Sequence, residues 1–301
     1  MVQQDFIKKI PYGETRALAR FLSLVENETV GYKEILASLT FRTTPVIGIT
    51  GPPGAGKSTL INQLANHLLT NHKKVAIVAV DPSSPFTHGA LMGDRLRMSE
   101  HFLNPSLFIR SMATRGSLGG LAPKIFEVCD VLRAAPFDYI IIETVGVGQS
   151  EVEIAGLADT TVLVVVPEAG DEIQTIKSGI MEVADIFVIN KADRDGSDIF
   201  YKNMLSLSHT NANEFWEIPV IKTIATQQKG IEALIEAIHQ HAAIPPNSGK
   251  KLHLLAQRAL VMIKALRTQD ISLNSLEKEL KENLDKTNFN LYGFIEKFEL
   301  K

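Results

Sequence analysis

From residue 45 onward, short aliphatic and β-branched runs alternate with longer stretches of helical spacing. Seven runs read as strands: PVIGIT from Pro45, KKVAIVAV from Lys73, SLFIRS from Ser106, FDYIIIE from Phe137, TTVLVVV from Thr160, ADIFVIN from Ala184 and IPVIKT from Ile218. Each is nearly continuous in apolar residues, as expected of strands buried on both faces. Helical spacing covers 57–71, 119–134, 172–183, 197–208 and 230–242. The pattern predicts an α/β fold, a mostly parallel sheet covered by helices on both faces.

Two helical extensions flank this region. In residues 14–26, Leu18, Phe21, Leu22 and Val25 recur at spacings of three and four, one apolar face of an amphipathic helix. IPPNSGK, 244–250, is a breaker cluster that reads as a linker, followed by two amphipathic stretches, LHLLAQRALVMIKAL and ISLNSLEKELKENL. The expected divisions are an N-terminal helical extension, 1–44, a nucleotide-binding domain, 45–243, and a C-terminal helical extension, 244–301. An apolar helical face must be buried, so this tail is expected to pack on its own domain or to form a homodimer.

Composition narrows the function classes. The 301 residues are 45% hydrophobic and 22% charged, ordinary for a globular protein, and the net charge of −3 offers no global basic field for nucleic acid or an anionic membrane. The single cysteine, Cys129, excludes an intramolecular disulfide and reads as a small buried hydrophobe. No apolar run reaches membrane-spanning length and the N-terminus lacks a signal-peptide core, so the expected location is cytoplasmic.

The strongest chemical signal is GITGPPGAGKST, 48–59, where Gly51, Gly56, Lys57 and Ser58 stand in the G-x-x-x-x-G-K-S spacing between a strand and a helix. This is the phosphate-binding P-loop: glycines let backbone N–H groups turn inward, the helix dipole favours anions, and the lysine reaches the β and γ phosphates. Ser58 is placed to ligate magnesium. After the run DIFV, the sequence INKAD brings Asn190, Lys191 and Asp193 in the N-K-x-D pattern. A carboxylate there accepts from the N1–H and 2-amino group of guanine, a donor pair adenine lacks, while the lysine stem covers the base. KTIAT, 222–226, ends the next strand where GTPases often carry a Ser-Ala pair with a backbone contact to guanine O6. Here Ile224 and Ala225 occupy that position.

Magnesium requires hard oxygen ligands. Asp81 ends the run KKVAIVAVD, Asp94 follows in GDRLRM, and Glu143 ends DYIIIE where a Walker B acid falls.

Taken together, GPPGAGKST, VDPSSPFTHGALMGDRLRM, ETVGVGQSE, PEAGDEIQTIKSGIMEVADIFVINKAD and PVIKTIAT resemble the MeaB/ArgK-type GTPases, relatives of the methylmalonic aciduria type A protein in the SIMIBI class. The resemblance spans roughly residues 13–243. It implies that Gly51, Pro52, Pro53, Gly54, Ala55, Gly56, Lys57, Ser58 and Thr59 bind the phosphates. Asp193, with Asn190 and Lys191, and residues Ile224, Ala225 and Thr226 would bind guanine. Ser58, Asp81, Asp94 and Glu143 would form the magnesium shell, and Gly146 would offer its N–H to the γ-phosphate. The implied activity is GTP hydrolysis, with Lys57 and Glu143 as catalytic residues, in a chaperone that gates cofactor loading and protects or reactivates an adenosylcobalamin-dependent acyl-CoA mutase, chiefly methylmalonyl-CoA mutase. GDEIQTIKSG, 170–179, resembles an additional switch that signals nucleotide state to the mutase, with Asp171 and Lys177 as test positions.

Two departures stand out: SPFTHGALMGD differs from the Gly-Gly-rich first switch of the family, and Ile224 replaces serine. His88 reads as an ordinary loop histidine. Gln149 lies three residues past Gly146 rather than directly after it, so the group that orients the attacking water stays unassigned and slow intrinsic turnover is expected. Competing readings are an ATP-dependent kinase or transport ATPase, opposed by NKAD, and a nickel-delivery GTPase, opposed by one cysteine and scattered histidines.

Overall fold

The computed structural model describes residues 4–81, 104–114, 122, 124–146, 150–170, 184–211 and 216–244, and parts of 256–298. The predicted runs form seven strands: β1 Val46–Thr50, β2 Val75–Asp81, β3 Leu107–Ala113, β4 Tyr139–Glu143, β5 Thr160–Val165, β6 Ile186–Ile189 and β7 Val220–Lys222. All pair in parallel in the order β3, β2, β4, β1, β5, β6, β7. With β1 central, the chain first builds towards β3 and then towards β7. The C-terminal ends of β4, β1 and β5 therefore frame the crevice where open α/β sheets bind ligands.

After a single turn of helix at Gln4–Ile7 come α1 Thr15–Glu26, α2 Tyr32–Ser38, α3 Lys57–Thr70 and α4 Ile125–Arg133. They are followed by α5 Ser150–Leu157, α6 Ser197–Asn211 and α7 Ile231–Ala242. The period of two along each strand sorts side chains between the sheet's faces. Val46, Val78, Val80, Ile140 and Ile142 pack with α1, α4 and α5, while Ile47, Ile49, Ile77, Ile141, Val162 and Val188 pack with α3 and α7. A third cluster joins Leu163, Val165, Phe187 and Ile189 to Phe200 and Met204 of α6.

The predicted face of α1 is fully buried at Leu18, Phe21, Leu22 and Val25, a stabilisation of about 1.5–3 kcal/mol for each side chain. Its C-terminal end is tied to β3 through Arg110, which donates to Glu26 Oε1 at 2.7 Å and to Ser23 Oγ at 3.2 Å.

At the opposite end of the sheet from the crevice, three aspartates close the strand starts. Asp138 Oδ2 accepts Lys74 N–H at 2.7 Å, Asp159 Oδ2 accepts Val46 N–H at 2.9 Å and Asp185 Oδ2 accepts Thr161 N–H at 2.8 Å. Each carboxylate stands just before one strand and pairs a backbone donor at the start of its neighbour, a group that would otherwise lack a ladder partner.

The helices differ from the sequence reading in three places. The helix expected over 119–134 is Ile125–Arg133, preceded by Lys124 at φ 66°, a left-handed residue that cannot continue a helix inwards. α5 fills the stretch between β4 and β5, where the spacing predicts no helix. Ile154 and Leu157 are its buried anchors, too few to set a visible period. α2 is likewise additional. The helix expected at 172–183 lies outside the described residues.

The chain divides into two compact units, residues 1–245 and 246–301. The N-terminal helices belong to the first and contribute to its core. In the second, helical positions between 256 and 267 are followed by α8 Leu273–Leu284 and α9 Leu291–Glu296. Leu260, Met262, Ile263, Leu266, Leu273, Leu291, Tyr292 and Ile295 are exposed there.

Candidate nucleotide site

β1 ends at Thr50 and the chain turns through Gly51 to Gly56 before α3 begins at Lys57. Gly51 has φ 138°, and a Cβ on it would lie 2.0 Å from Val164 O, so only glycine lets the loop pass the end of β5. Within the loop Ala55 N–H donates to Pro52 O at 3.2 Å, while Pro53 and Gly54 form its exposed tip. Gly56, also left-handed, caps α3, directing the helix N-terminus into the loop. Thr59 is half-buried in the first turn.

Lys57 and Ser58, both buried, open that turn. Lys57 Nζ donates to Gly51 O at 2.8 Å and Pro52 O at 3.2 Å, so the ammonium is held over the concave side of its own loop. Ser58 Oγ donates to Glu143 Oε1 at 2.8 Å, and Thr144 Oγ1 donates to Thr50 Oγ1 at 2.9 Å. These bonds fasten the end of β4 to the P-loop. Asp81 is buried at the end of β2, the strand beside β4. Gly146 follows with φ 83°, and a Cβ there would stand 2.1 Å from Gly51 O and 2.6 Å from Lys57 Nζ. Its backbone is therefore pressed against the loop, next to the lysine.

The guanine motif is joined to the same loop. Asn190, buried at the end of β6, donates from Nδ2 to Ala55 O at 2.9 Å. Its Oδ1 accepts Thr223 Oγ1–H at 3.1 Å and Ala225 N–H at 3.2 Å. One carboxamide thus links the ends of β1, β6 and β7. Lys191, left-handed at φ 54°, donates from Nζ to Gly54 O at 2.8 Å, laying its stem across the base side of the P-loop. Asp193 is exposed two residues on. The N–H of Ile224 donates to Lys229 O at 3.1 Å and that of Ala225 to Asn190, so both donors proposed for guanine O6 are engaged within the protein; Thr226 is exposed in the 3-10 turn that follows.

The fold brings the loop Gly51 to Thr59, Gly146, Asn190 and Lys191 together, with Asp193 exposed two residues past Lys191 and with Asp81 and Glu143 buried at the ends of the adjacent strands β2 and β4. Asp94, His88, Gln149, Asp171 and Lys177 lie outside the described residues. Thr50, Thr144 and Thr223 escaped the sequence reading. A threonine ending an apolar run is the one signal they leave, and it is shared with many strand ends.

A model of the family described as methylmalonyl-CoA mutase-associated GTPase MeaB matches residues 18–280. A protein of Pyrococcus abyssi named as a GTPase is 48% identical over 252 residues, covering 82% of this chain and 78% of its own. The GTPase ArgK of Escherichia coli is 34% identical over 284 residues, covering 90% and 85%. A fused isobutyryl-CoA mutase of Geobacillus kaustophilus carries a segment 36% identical over 243 residues, 75% of this chain and 22% of that protein. Among solved structures, a LAO/AO transport system kinase superposes with a TM-score of 0.71 at 27% identity, over 94% of this chain and 90% of that one. The chain belongs to the MeaB family of P-loop GTPases.

Proposed function

We propose that this GTPase serves as a G-protein chaperone for an adenosylcobalamin-dependent acyl-CoA mutase, with methylmalonyl-CoA mutase the first candidate, gating cofactor loading and protecting or reactivating the enzyme. The observation that carries the reading is the fused isobutyryl-CoA mutase, in which a segment resembling most of this chain is part of one polypeptide with a mutase. Fusion holds two modules at high effective concentration, which is useful where they act on each other. A homodimer is supported by the exposed apolar positions of the second unit, and the proposed compartment is the cytoplasm.

GTP and GDP are the proposed ligands. The P-loop N–H groups and Lys57 would take the phosphates, and the Asp193 carboxylate the N1–H and 2-amino group of guanine. Residues 224–226 would contribute a backbone donor only after exchange of the bonds described above. Ser58, Glu143 and Asp81 are buried hard-oxygen donors, the first two hydrogen-bonded to each other and Asp81 at the end of the strand next to that of Glu143, a set that fits magnesium, with Asp94 proposed as a further ligand. A magnesium ion there would neutralise charge developing on the phosphate oxygens. Lys57 would add positive charge at the same place, and Gly146, whose backbone passes close to that lysine, would offer its N–H to the γ-phosphate.

Single-turnover GTP hydrolysis, measured with and without the mutase, tests this. Slow turnover that the mutase accelerates is expected, together with nucleotide-dependent co-purification of the two. Fast hydrolysis indifferent to the mutase would sink the reading. The kinase name of the superposing structure favours a second reading, an ATP-dependent kinase. Tighter binding of ATP than GTP would support it, and the Asp193 position speaks for the opposite order.

A further inference from the structure

The loop carrying Asp193 leaves β6 at Ile189 and returns as α6 at Ser197, and an ion pair holds each flank. On one side Arg194 donates to Glu168 in the 3-10 turn Pro167–Gly170 that follows β5. On the other, Lys222 at the end of β7 donates to Asp198 in the first turn of α6, and its ammonium lies 4.8 Å from the centroid of the Tyr201 ring. The two contacts pull from opposite directions, one towards the sheet centre and one towards its edge.

Between them the backbone is closed on itself. Ala192 N–H donates to Thr223 O at 3.1 Å, Arg194 N–H to Lys191 O at 3.1 Å and Ser197 N–H to Arg194 O at 3.3 Å. Lys191 at φ 54° occupies a region costly for a residue with a side chain, so its surroundings must hold it there. None of these contacts uses the Asp193 carboxylate, which stays presented at the loop surface.

Both pairs are open to solvent, with side-chain exposures of 47% and 50% for Arg194 and Glu168 and 34% and 89% for Lys222 and Asp198. Such pairs add little to global stability. Their effect belongs where a small local energy decides an outcome, in how long the loop keeps one shape. The Arg194 hydrogen bond holds the Glu168 carboxyl below its usual 4.5, and the Lys222 hydrogen bond holds that of Asp198 below 3.8, so both remain ionised across the neutral range.

We propose that Arg194–Glu168 and Lys222–Asp198 form a two-sided ionic brace, positioning residues that set the residence time of guanine nucleotide by keeping the Asp193 loop in its base-accepting shape. The inference rests on Asp193 as the guanine acceptor. It assigns a role to four residues that stand outside the P-loop and N-K-x-D patterns.

The test follows release of a fluorescent GDP analogue from the full-length protein by stopped flow. Release from the Glu168→Gln/Asp198→Asn double variant should be about 3- to 10-fold faster than from the parent, as expected for two exposed pairs. Its kcat at saturating GTP and its melting temperature should stay at the parent values. Rising salt should accelerate release from the parent far more than from the double variant. Reversing one pair, Glu168→Arg with Arg194→Glu, should restore slow release when each single change does not.

Release from the double variant within about twofold of the parent, or faster release that comes with parallel losses of kcat and melting temperature, would overturn the brace. Asp193→Asn separates the two levels, because an amide donates to the 2-oxo group of xanthine and should shift preference from GTP to XTP. If that shift is absent, the base assignment falls and the brace with it. If it occurs while the double variant behaves like the parent, only the brace falls.

Discussion

Ser58 Oγ donates to Glu143 Oε1 across 2.8 Å, joining the first turn of the P-loop helix to the end of a strand 85 residues later. The bond sets the two proposed magnesium ligands side by side. Glu143→Gln keeps a carbonyl acceptor for the serine and removes the charge. Single-turnover GTP hydrolysis should fall about 10- to 100-fold, with a higher magnesium concentration needed for half-maximal rate. Ser58→Ala should move the magnesium dependence in the same direction. Unchanged magnesium curves in both variants would remove the pair from the proposed magnesium site.

Asn190, at the end of β6, bonds to the segments that follow β1 and β7, through Ala55 O, Thr223 Oγ1 and Ala225 N–H. Asn190→Ala leaves buried polar groups unpaired and should cost about 2–4 kcal/mol in urea unfolding, whereas Thr223→Val removes one donor and should cost about 1 kcal/mol. The reverse ranking would show that the carboxamide is not the main tie.

Gly146→Ala should spare the fold and damage the site. The added methyl meets Gly51 O at 2.1 Å and the flexible Lys57 Nζ at 2.6 Å, so the loop must retreat from the lysine. A displacement of about 1 Å at a reacting centre can lower kcat about 10²-fold. Steady-state GTP hydrolysis together with far-ultraviolet circular dichroism checks both halves of this expectation.

Alkaline conditions should loosen the first unit through Lys124 and Tyr139. Burial, the largest influence on Lys124, lowers its pKa, but hydrogen bonds to Glu28 and Tyr32 with the Glu127 charge outweigh it and leave the pKa above 10.5. Burial raises Tyr139 above 10.0, with the Asp138 charge adding to it. A group whose folded pKa is raised stabilises fully below its unfolded value and loses that contribution as pH rises through the folded one. Stability should therefore fall above about pH 10, and Tyr139→Phe and Lys124→Met should each flatten the fall in denaturant midpoints measured from pH 9 to 12.

Much of this architecture was legible because its signals are local. Seven apolar runs became seven parallel strands, and the P-loop and N-K-x-D segments read as contiguous patterns. α5 was not legible, since Ile154 and Leu157 leave too short a period, and the onset of α4 depended on the left-handed Lys124. The guanine O6 contact expected from Ile224 and Ala225 is less simple than a linear pattern suggests, because Lys229 and Asn190 already receive those N–H groups.

The sequence by itself determined the strands, the phosphate loop and the chemical types at the site, because each depends on residues within one or two turns of chain. Tertiary structure decided which of them act together. The strand order sets Ser58 against Glu143, Asn190 against an alanine carbonyl 135 residues away, and Arg194 against Glu168. The reason is physical: a parallel sheet aligns the C-terminal ends of strands that are distant in sequence, and only their lateral order settles which side chains come within hydrogen-bonding reach.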